Sequence, residues 1–188
     1  MNLILASASP RRRELLEKFA IPFVIDPSTG PENPPEGADA AETVKVLSAA
    51  KALEVAARHP GCTVIGSDTV VEADGVILGK PRDKADAFRM LRSLSGREHR
   101  VYTGVTVTDS TKTISQAEMT RVFFREMTDR EIEAYIATGE PMDKAGAYGY
   151  QGFASLFVER IDGDFFNVVG LPLCRLGHML ENFGVKLL

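Results

Sequence analysis

Apolar and polar residues alternate along this chain with two periods, one typical of strands and one typical of helices. Alternating or β-branched runs predict strands over residues 3–6, 22–26, 63–71, 76–78, 100–108, 115–125, 154–161 and 165–169. Apolar residues three and four positions apart predict helices that begin at about Pro10, Ala41, Asp83, Thr128 and Pro172. The pairs Asp74-Gly75 and Asp162-Gly163 are typical of hairpin turns. Since a purely parallel sheet needs no hairpins, the pattern predicts an α/β fold with a mixed, twisted β-sheet and flanking helices.

Two segments lack either period and are predicted to be loops. Residues 27–37 contain four prolines and two glycines, with Glu32 among them. Residues 139–152 contain four glycines, a composition typical of a loop whose backbone approaches a ligand and also of an ordinary surface loop. Gln151 lies in this second loop, and its amide is the type of group that reads the edge of a nucleobase.

The first helix begins with a charge pattern that helices normally avoid. Ser9 is a good N-cap and Pro10 a good first residue, so Arg11, Arg12 and Arg13 fall in the first turn. Free N–H groups and the macrodipole already make this end positive, so three cations there cost stability unless an anion binds. A bound phosphate would remove the conflict. An exposed basic face is the alternative, but the strand, the small-residue turn and the helix start around the arginines favour an anion site.

Composition narrows the classes of partner. The 188 residues are 44% apolar, enough for a hydrophobic core, and the net charge is −4. A phosphate-rich ligand must therefore bind a local cluster of cations, which suits a small anion better than a nucleic acid polymer. The N-terminus lacks the basic region of a signal peptide and no apolar run approaches about 20 residues, so we expect a cytoplasmic protein that does not bind a membrane. The oligomeric state is left open, a homodimer included.

The cysteines and histidines offer little support for catalysis. Cys62 and Cys174 are far apart and flanked by apolar residues, which predicts two reduced, packed thiols rather than a disulfide or a zinc site. His59, His99 and His178 are scattered without ligand spacing. A histidine metal site and a Ser-His-Asp triad are therefore poorly supported.

Lys51 and Asp68 both stand where an apolar residue is expected. Lys51 shares a helix face with Val44, Leu47 and Val55, so its side chain either extends along the apolar surface to solvent or reaches into a cleft. Asp68 interrupts a β-branched strand, although aspartate is depleted within strands. Near phosphate-binding cations such a carboxylate can hold a divalent metal or orient an attacking water. An aspartate at a bulge or strand end that binds nearby backbone N–H groups is the alternative.

Lys80 follows the predicted hairpin and is a second candidate lysine. Taken together, these residues resemble the Maf family of nucleoside triphosphate pyrophosphatases over nearly the whole length of the chain. The resemblance rests on these segments in order: Ser7-Ala8-Ser9-Pro10-Arg11-Arg12, Glu32, Lys51, Gly66-Ser67-Asp68-Thr69, Gly79-Lys80-Pro81, residues 143–152 and Asn167-Val168-Val169-Gly170-Leu171-Pro172-Leu173. It implies a single Maf/ITPase-like domain over residues 1–188, with two lobes around a nucleotide cleft.

The resemblance also implies hydrolysis of a nucleotide between its α- and β-phosphates, with Mg²⁺ or Mn²⁺, to give a monophosphate and pyrophosphate. Carried over by position, the residues expected to bind the triphosphate are Ser7, Arg11, Arg12, Lys51 and Lys80, and Lys80 is also expected to be catalytic. Asp68 would act as the base, as a metal ligand, or as both. Glu32 would help to hold the metal.

The resemblance further indicates which base is accepted. Family members with an Asp-Thr pair and a Tyr-Gly-x-Gln loop act on dTTP and UTP, whereas the methylated-guanine branch usually carries Asp-Gln. Arg11, Thr69 and Gln151 therefore imply the pyrimidine branch.

Two further classes of function compete with the enzyme. A regulatory module that binds a triphosphate without turnover, such as a septum formation inhibitor in cell division, needs the cations but not Glu32 and Asp68 beside a polyanion. RNA binding is poorly supported, because the acidic balance and the absence of Trp give no basic and aromatic strip. Triphosphate hydrolysis needs charge neutralisation, a metal and a positioned water more than a reactive nucleophile. The resemblance thus implies a house-cleaning enzyme for dTTP, UTP or modified pyrimidine nucleotides, and these requirements agree with it.

Overall fold

The computed structural model describes residues 2–188 and has one seven-stranded sheet with six α-helices in this range. The strands are β1 (Leu3–Leu5), β2 (Phe23–Ile25), β3 (Thr63–Ala73), β4 (Val76–Leu78), β5 (Glu98–Thr108), β6 (Thr113–Phe124) and β7 (Val158–Asp162). The helices are α1 (Pro10–Leu16), α2 (Ala40–Arg58), α3 (Lys84–Leu94), α4 (Asp129–Ala137), α5 (Phe165–Val169) and α6 (Leu173–Glu181). Short 3₁₀ helices lie at Glu140–Asp143, Ala145–Ala147 and Phe153–Leu156. The predicted α/β fold with a mixed sheet is confirmed.

The strand order leaves a gap in the edge of β3, and this gap positions the site. The sheet runs β2-β1-β3-β5-β6-β7, with β4 paired to β3, and only the pairings of β1 with β2 and with β3 are parallel. On the edge of β3 away from β5, β1 pairs with residues 63–65 and β4 with residues 71–73. Within residues 2–188 no strand covers positions 66–70 on that edge. We call this gap the notch.

Two glycines let α2 lie directly on one face of the sheet. A Cβ on Gly66 of β3 would clash with the carbonyl oxygen of Ser48, and a Cβ on Gly104 of β5 would clash with the carbonyl oxygen of Val44. Only glycine therefore allows this approach. Asp68, two residues beyond Gly66, faces the same helix because strand side chains alternate.

Two apolar clusters lie on the opposite face of β3, one toward each end of the strand. The first contains Ile65 and packs against Leu173, Leu176 and Leu180 of α6 and against Phe183 just beyond the end of that helix, which together are the predicted inner face. The second contains Val71 and packs against α3 and α4. Ser67 and Thr69 lie between them on the same face, so the polar centre of β3 falls where the two clusters meet. These clusters correspond to the two lobes expected around a cleft.

The two strands predicted near the C-terminus are wrong in part. Residues 165–169 form α5, because the Asp164 side chain accepts a hydrogen bond from the N–H of Phe166 at 2.7 Å and caps a helix. Gly170 ends that helix in the left-handed region, with φ of 115°. Asp162-Gly163 thus joins β7 to a helix instead of forming a hairpin. The strand predicted over residues 154–161 is shortened to β7 by the 3₁₀ helix that precedes it.

Three smaller outcomes concern the cysteines, the glycine-rich loop and the helices. Cys62 and Cys174 are both free, but Cys174 is exposed, so the prediction of packed thiols is wrong for it. The predicted loop over residues 139–152 contains two of the 3₁₀ helices. In the part of the chain that the structure describes, no helix combines the length and the apolar character needed to span a membrane.

Candidate active site

Ser7, Arg12 and Thr69 meet at the notch. The chain passes from β1 into α1 here, which brings the first turn of α1 beside the open edge of β3. Arg12 donates from Nε to the carbonyl oxygen of Gly170 at 2.7 Å, from Nη2 to Thr69 Oγ1 at 2.9 Å, and from Nη1 to Ser7 Oγ at 3.3 Å. All three nitrogens of the guanidinium are therefore fixed by neutral acceptors, which sets the plane of the group.

Arg12 has no carboxylate of its own. Among the ion pairs of residues 2–188, none within 4.0 Å involves Arg12, whereas Arg13 next to it pairs with Glu17 at 2.7 Å. Burial lowers the pKa of Arg12 from its ordinary value, and the charges of Asp68 and Glu32 act in the opposite direction. A partly buried cation held by neutral groups is well suited to an anion that arrives with the substrate.

Lys51 joins the two candidate carboxylates. Its Nζ lies 2.6 Å from Glu32 Oε1 and 2.6 Å from Asp68 Oδ1. The lysine side chain is only 16% exposed, so it reaches into the cleft instead of extending to solvent. Asp68 is buried and lies within the regular register of β3 with β5, not at a bulge or a strand end. The polar interruption of this strand therefore places a carboxylate in the site.

The charges of three cations act on Glu32. Its pKa is lowered, first by the hydrogen bond from Lys51 and then by the charges of Lys51, Lys80 and Arg12, although partial burial opposes them. Lys80 is exposed and follows β4, where the carbonyl oxygen of Gly79 accepts a hydrogen bond from the N–H of Gly146 at 3.0 Å. The structure thus brings Lys80 toward the same carboxylate that binds Lys51.

Glu32 and Asp68 form an incomplete set of metal ligands. No group of three or more His, Cys, Asp or Glu residues suited to a metal occurs among residues 2–188. Two carboxylates nevertheless converge on one cationic position, that of Lys51 Nζ. Magnesium is commonly held by one or two carboxylates together with substrate phosphates, so this pair fits a metal that enters with a triphosphate.

Arg11 contacts the glycine-rich loop on the other side of α1. Its guanidinium lies so close to Gly149 that a Cβ there would clash with it. Gly149 begins a turn over residues 149–152, which is closed by a hydrogen bond of 3.0 Å from the N–H of Gly152 to the carbonyl oxygen of Gly149. Gln151 in this turn is exposed, and no hydrogen bond joins its side chain to Thr69 or to another described residue. The structure therefore brings Arg11 to the loop but not Gln151 to Thr69.

Several residues that support the site lie outside the predicted set. Ser67 Oγ donates to the carbonyl oxygen of Gly170 at 3.0 Å, so that one oxygen anchors both Ser67 and Arg12. The hydroxyl of Thr103 lies 2.9 Å from that of Thr69 and donates to the carbonyl oxygen of Asn167 at 2.8 Å. The spacing from Asp164 to Gly170 could have indicated a short capped helix at this point.

Comparison with known proteins identifies the family of this chain. The family model described as "Maf-like protein" matches residues 2–183. The dTTP/UTP pyrophosphatase of Koribacter versatilis is 51% identical over 98% of this chain and 96% of its own length. That of Pelotomaculum thermopropionicum is 49% identical over 100% and 99%. The solved Staphylococcus aureus Ham1 protein aligns with 66% of this chain and 72% of its own, with a TM-score of 0.47 and 13% identity. From the family match and the identity to its relatives, the chain belongs to the Maf-like family.

Proposed function

We propose that this protein hydrolyses dTTP and UTP to the nucleoside monophosphate and pyrophosphate. The observation that carries the proposal is that Arg12, which forms no ion pair within 4.0 Å among residues 2–188, and the Glu32–Lys51–Asp68 cluster both lie at the notch. The relatives named dTTP/UTP pyrophosphatase support it, since they are about half identical to this chain over its full length. We extend the proposal to modified pyrimidine triphosphates, whose removal would be a house-cleaning role.

The proposed chemistry is attack of water on the α-phosphorus. Asp68 accepts a proton from the water, a bond forms from the water oxygen to the α-phosphorus, and the bond to the bridging oxygen breaks as pyrophosphate leaves. Lys51 fixes the Asp68 carboxylate, while Arg12, with Arg11 and Lys80, neutralises charge on the triphosphate. In this proposal residues 1–188 act as one domain.

The proposal includes a divalent cation, Mg²⁺ or Mn²⁺. Glu32 and Asp68 would hold it together with phosphate oxygens, as expected for a pair of carboxylates at a triphosphate site. Such a cation would lower the pKa of bound water and neutralise charge on the phosphates. A binding module without turnover is not favoured, because a second carboxylate beside a polyanion would weaken binding without a metal to offset it.

The proposed base selection uses Thr69 and Gln151, and it requires the Thr69 hydroxyl to exchange its bonds to Arg12 and Thr103 for the base. An amide that donates and accepts, with a hydroxyl, can satisfy the acceptor, donor and acceptor edge of uracil or thymine. A wrong base that leaves such groups unpaired costs about 1–3 kcal/mol per contact, which is roughly a 10- to 100-fold discrimination. We expect UTP and dTTP to be hydrolysed in preference to CTP and GTP.

A nucleotide panel tests the reaction and the base together. UTP, dTTP, CTP, GTP and 7-methyl-GTP are incubated with Mg²⁺, Mn²⁺ or a chelator, and the products are separated chromatographically. We expect UMP and pyrophosphate from UTP, no UDP as a primary product, and no reaction with chelator. In water enriched in ¹⁸O the label should enter UMP. A label found in pyrophosphate, or a methylated guanine nucleotide as best substrate, would contradict the proposal.

Replacement of the proposed base tests the mechanism. Asp68→Asn keeps the size of the side chain but removes the proton acceptor, so kcat should fall about 100-fold or more while UTP still binds. Asp109→Asn is the matched control. Asp109 lies in the β5–β6 turn, and its carboxylate accepts hydrogen bonds only from residues of that turn. An Asp68→Asn enzyme with more than about a tenth of the normal rate would remove Asp68 from the role of base.

A further inference from the structure

The turn that carries Gln151 is fastened at both ends to one carboxylate. We propose that Glu140 and Tyr135, which lie outside the proposed catalytic set, are positioning residues that hold this turn for base selection. The inference rests on the proposed function, in which Gln151 reads the pyrimidine.

The two oxygens of Glu140 hold the turn from its two ends, one through the hydroxyl of Tyr135 and one through the residue that follows the turn. Tyr135 Oη donates to Glu140 Oε1 at 2.8 Å and accepts a hydrogen bond from the N–H of Gly149 at 3.2 Å. Glu140 Oε2 accepts a hydrogen bond from the N–H of Phe153 at 3.1 Å. The carboxylate thus holds the first residue of the turn through a hydroxyl, and the residue after the turn directly.

Two side chains, those of Glu140 and Arg11, pack closely against the glycines of this turn. A Cβ on Gly152 would clash with the carboxylate of Glu140, so glycine is required for the two to lie together. On the other side, the guanidinium of Arg11 lies against Gly149. The turn that carries Gln151 therefore packs against a carboxylate at Gly152 and against a cation from α1 at Gly149.

Glu140 acts here as a hydrogen-bond acceptor and not as an ion-pair partner. Within residues 2–188 no ion pair within 4.0 Å involves its carboxylate, and Lys144 binds its carbonyl oxygen instead. The pKa of Tyr135 is raised, mainly by burial and next by its hydrogen bond to Glu140. The hydroxyl therefore stays protonated and keeps its role as a donor to Glu140 while it accepts from Gly149.

The position of the Gln151 amide depends on the backbone of this turn. The side chain is exposed, so packing does not hold it, and the conformation of residues 149–152 sets which positions the amide can reach. A misplaced amide cannot pair with a pyrimidine edge, but it leaves Asp68 and Lys51 untouched. Loosening the turn should therefore reduce discrimination between bases more than it reduces the rate of hydrolysis.

The experiment compares kcat and KM for UTP and CTP in Tyr135→Phe, Glu140→Ala and Glu140→Gln proteins. We expect the preference for UTP to fall about 5- to 10-fold in Tyr135→Phe and Glu140→Ala, through a higher KM for UTP, with kcat within about 2-fold of normal. Glu140→Gln keeps one acceptor oxygen and should retain more of the preference than Glu140→Ala.

Tyr148→Phe is the matched control. It removes another buried tyrosine hydroxyl, which lies 2.7 Å from His99 Nε2 and does not touch the turn. The preference for UTP should be unchanged in this variant, and thermal unfolding shows whether each variant is folded. Because Tyr135 and Glu140 are proposed to act through Gln151, Tyr135→Phe should cause no further loss of preference in a Gln151→Ala background.

The outcomes separate the two proposals. A wild-type enzyme without preference for UTP and dTTP contradicts the proposed base selection, and the positioning role falls with it. A selective wild type whose Tyr135→Phe and Glu140→Ala variants keep the full preference, or lose the same factor for every nucleotide, overturns the positioning role alone. Additive losses in the Gln151→Ala background would also overturn it, because Tyr135 and Glu140 would then act on preference by a route other than Gln151.

Discussion

Arg12 and Arg13 are neighbours in the first turn of α1, yet their guanidinium groups have opposite surroundings. Arg13 is exposed and pairs with Glu17 one turn later, the usual arrangement on a helix surface. Arg12 binds three neutral oxygens from β3, from the residues after β1 and from the end of α5. A run of three arginines in the sequence therefore contains one surface ion pair and one anchored cation.

This difference predicts how conservative replacements behave. Arg12→Lys keeps the charge but loses the planar fork, so one or two charge-assisted hydrogen bonds of about 1.5–3 kcal/mol are lost and kcat/KM for UTP should fall roughly 10- to 100-fold. Arg13→Lys, the adjacent control, should change kcat/KM less than about 2-fold, because an exposed ion pair contributes little. Steady-state kinetics on both variants decides the point. Equal effects would mean that the fork of Arg12 has no special role.

At the scale of elements, α5 is the most informative, because the carbonyl oxygen at its C-terminal end anchors Arg12 and Ser67. Gly170, its C-cap, turns its carbonyl oxygen toward Arg12 and Ser67 in a conformation with φ of 115° that other residues adopt only with strain. The helix has five residues and thus no visible period, and its aromatic and β-branched composition favours a strand. Local capping and tertiary contacts decide its form.

A glycine replacement tests this element. Gly170→Ala should cost about 1–2 kcal/mol of unfolding free energy from left-handed backbone strain, and kcat/KM should fall about 10-fold as the carbonyl oxygen shifts away from Arg12. Gly61→Ala is the control, since its φ of 81° is also left-handed and nothing lies within 4 Å of the added Cβ. Both variants should unfold at lower urea concentrations, but only Gly170→Ala should lose activity. If both keep full activity, the Gly170 carbonyl does not position Arg12.

A site residue could be predicted from the sequence when it breaks a local rule, and could not when its role depends on contacts with residues distant in sequence. Arg12, Lys51 and Asp68 violate a local rule, a cation at a helix start or a polar residue on an apolar face, and such violations are visible in the sequence. Glu140 and Tyr135 violate none: a glutamate in a loop and a tyrosine on a helix face are ordinary. Their roles arise only when the turn folds back onto them, through contacts between residues 13 and 14 positions apart. Sequence patterns do not carry such contacts.

At the scale of the whole molecule, His99 makes stability depend on pH. Burial lowers the pKa of His99 to about 4, and its Nε2 lies 2.7 Å from Tyr148 Oη. The unfolded chain binds this proton near pH 6.5, while the folded protein resists it until about pH 4. Protonation thus favours unfolding, and stability is lost as the pH falls from about 6.5 to about 4.

The predicted loss between pH 7 and pH 5.5 is about 1 kcal/mol from this group. In a His99→Gln protein the side chain does not titrate, although its amide can still bind the Tyr148 hydroxyl, so this contribution should vanish. Urea unfolding of both proteins at the two pH values measures it as a difference, which cancels the other titrating groups. A wild type and a variant with the same pH dependence would show that His99 is not the source.

The notch in β3 also leaves backbone N–H and C=O groups of this strand without a partner strand among residues 2–188. Ile65 accepts from the N–H of Ala6 and Thr63 donates to Asn2, so alternate peptide groups of β3 point to this edge, and those of Ser67 and Thr69 point into the notch. Their amide hydrogens should exchange with deuterium faster than those of neighbours paired with β5, and should be protected when UTP binds. A row of free peptide groups usually invites another chain to add a strand. Here β1 and β4 flank the row on both sides, so a compact ligand can reach it while an extended chain from a neighbouring molecule is kept out.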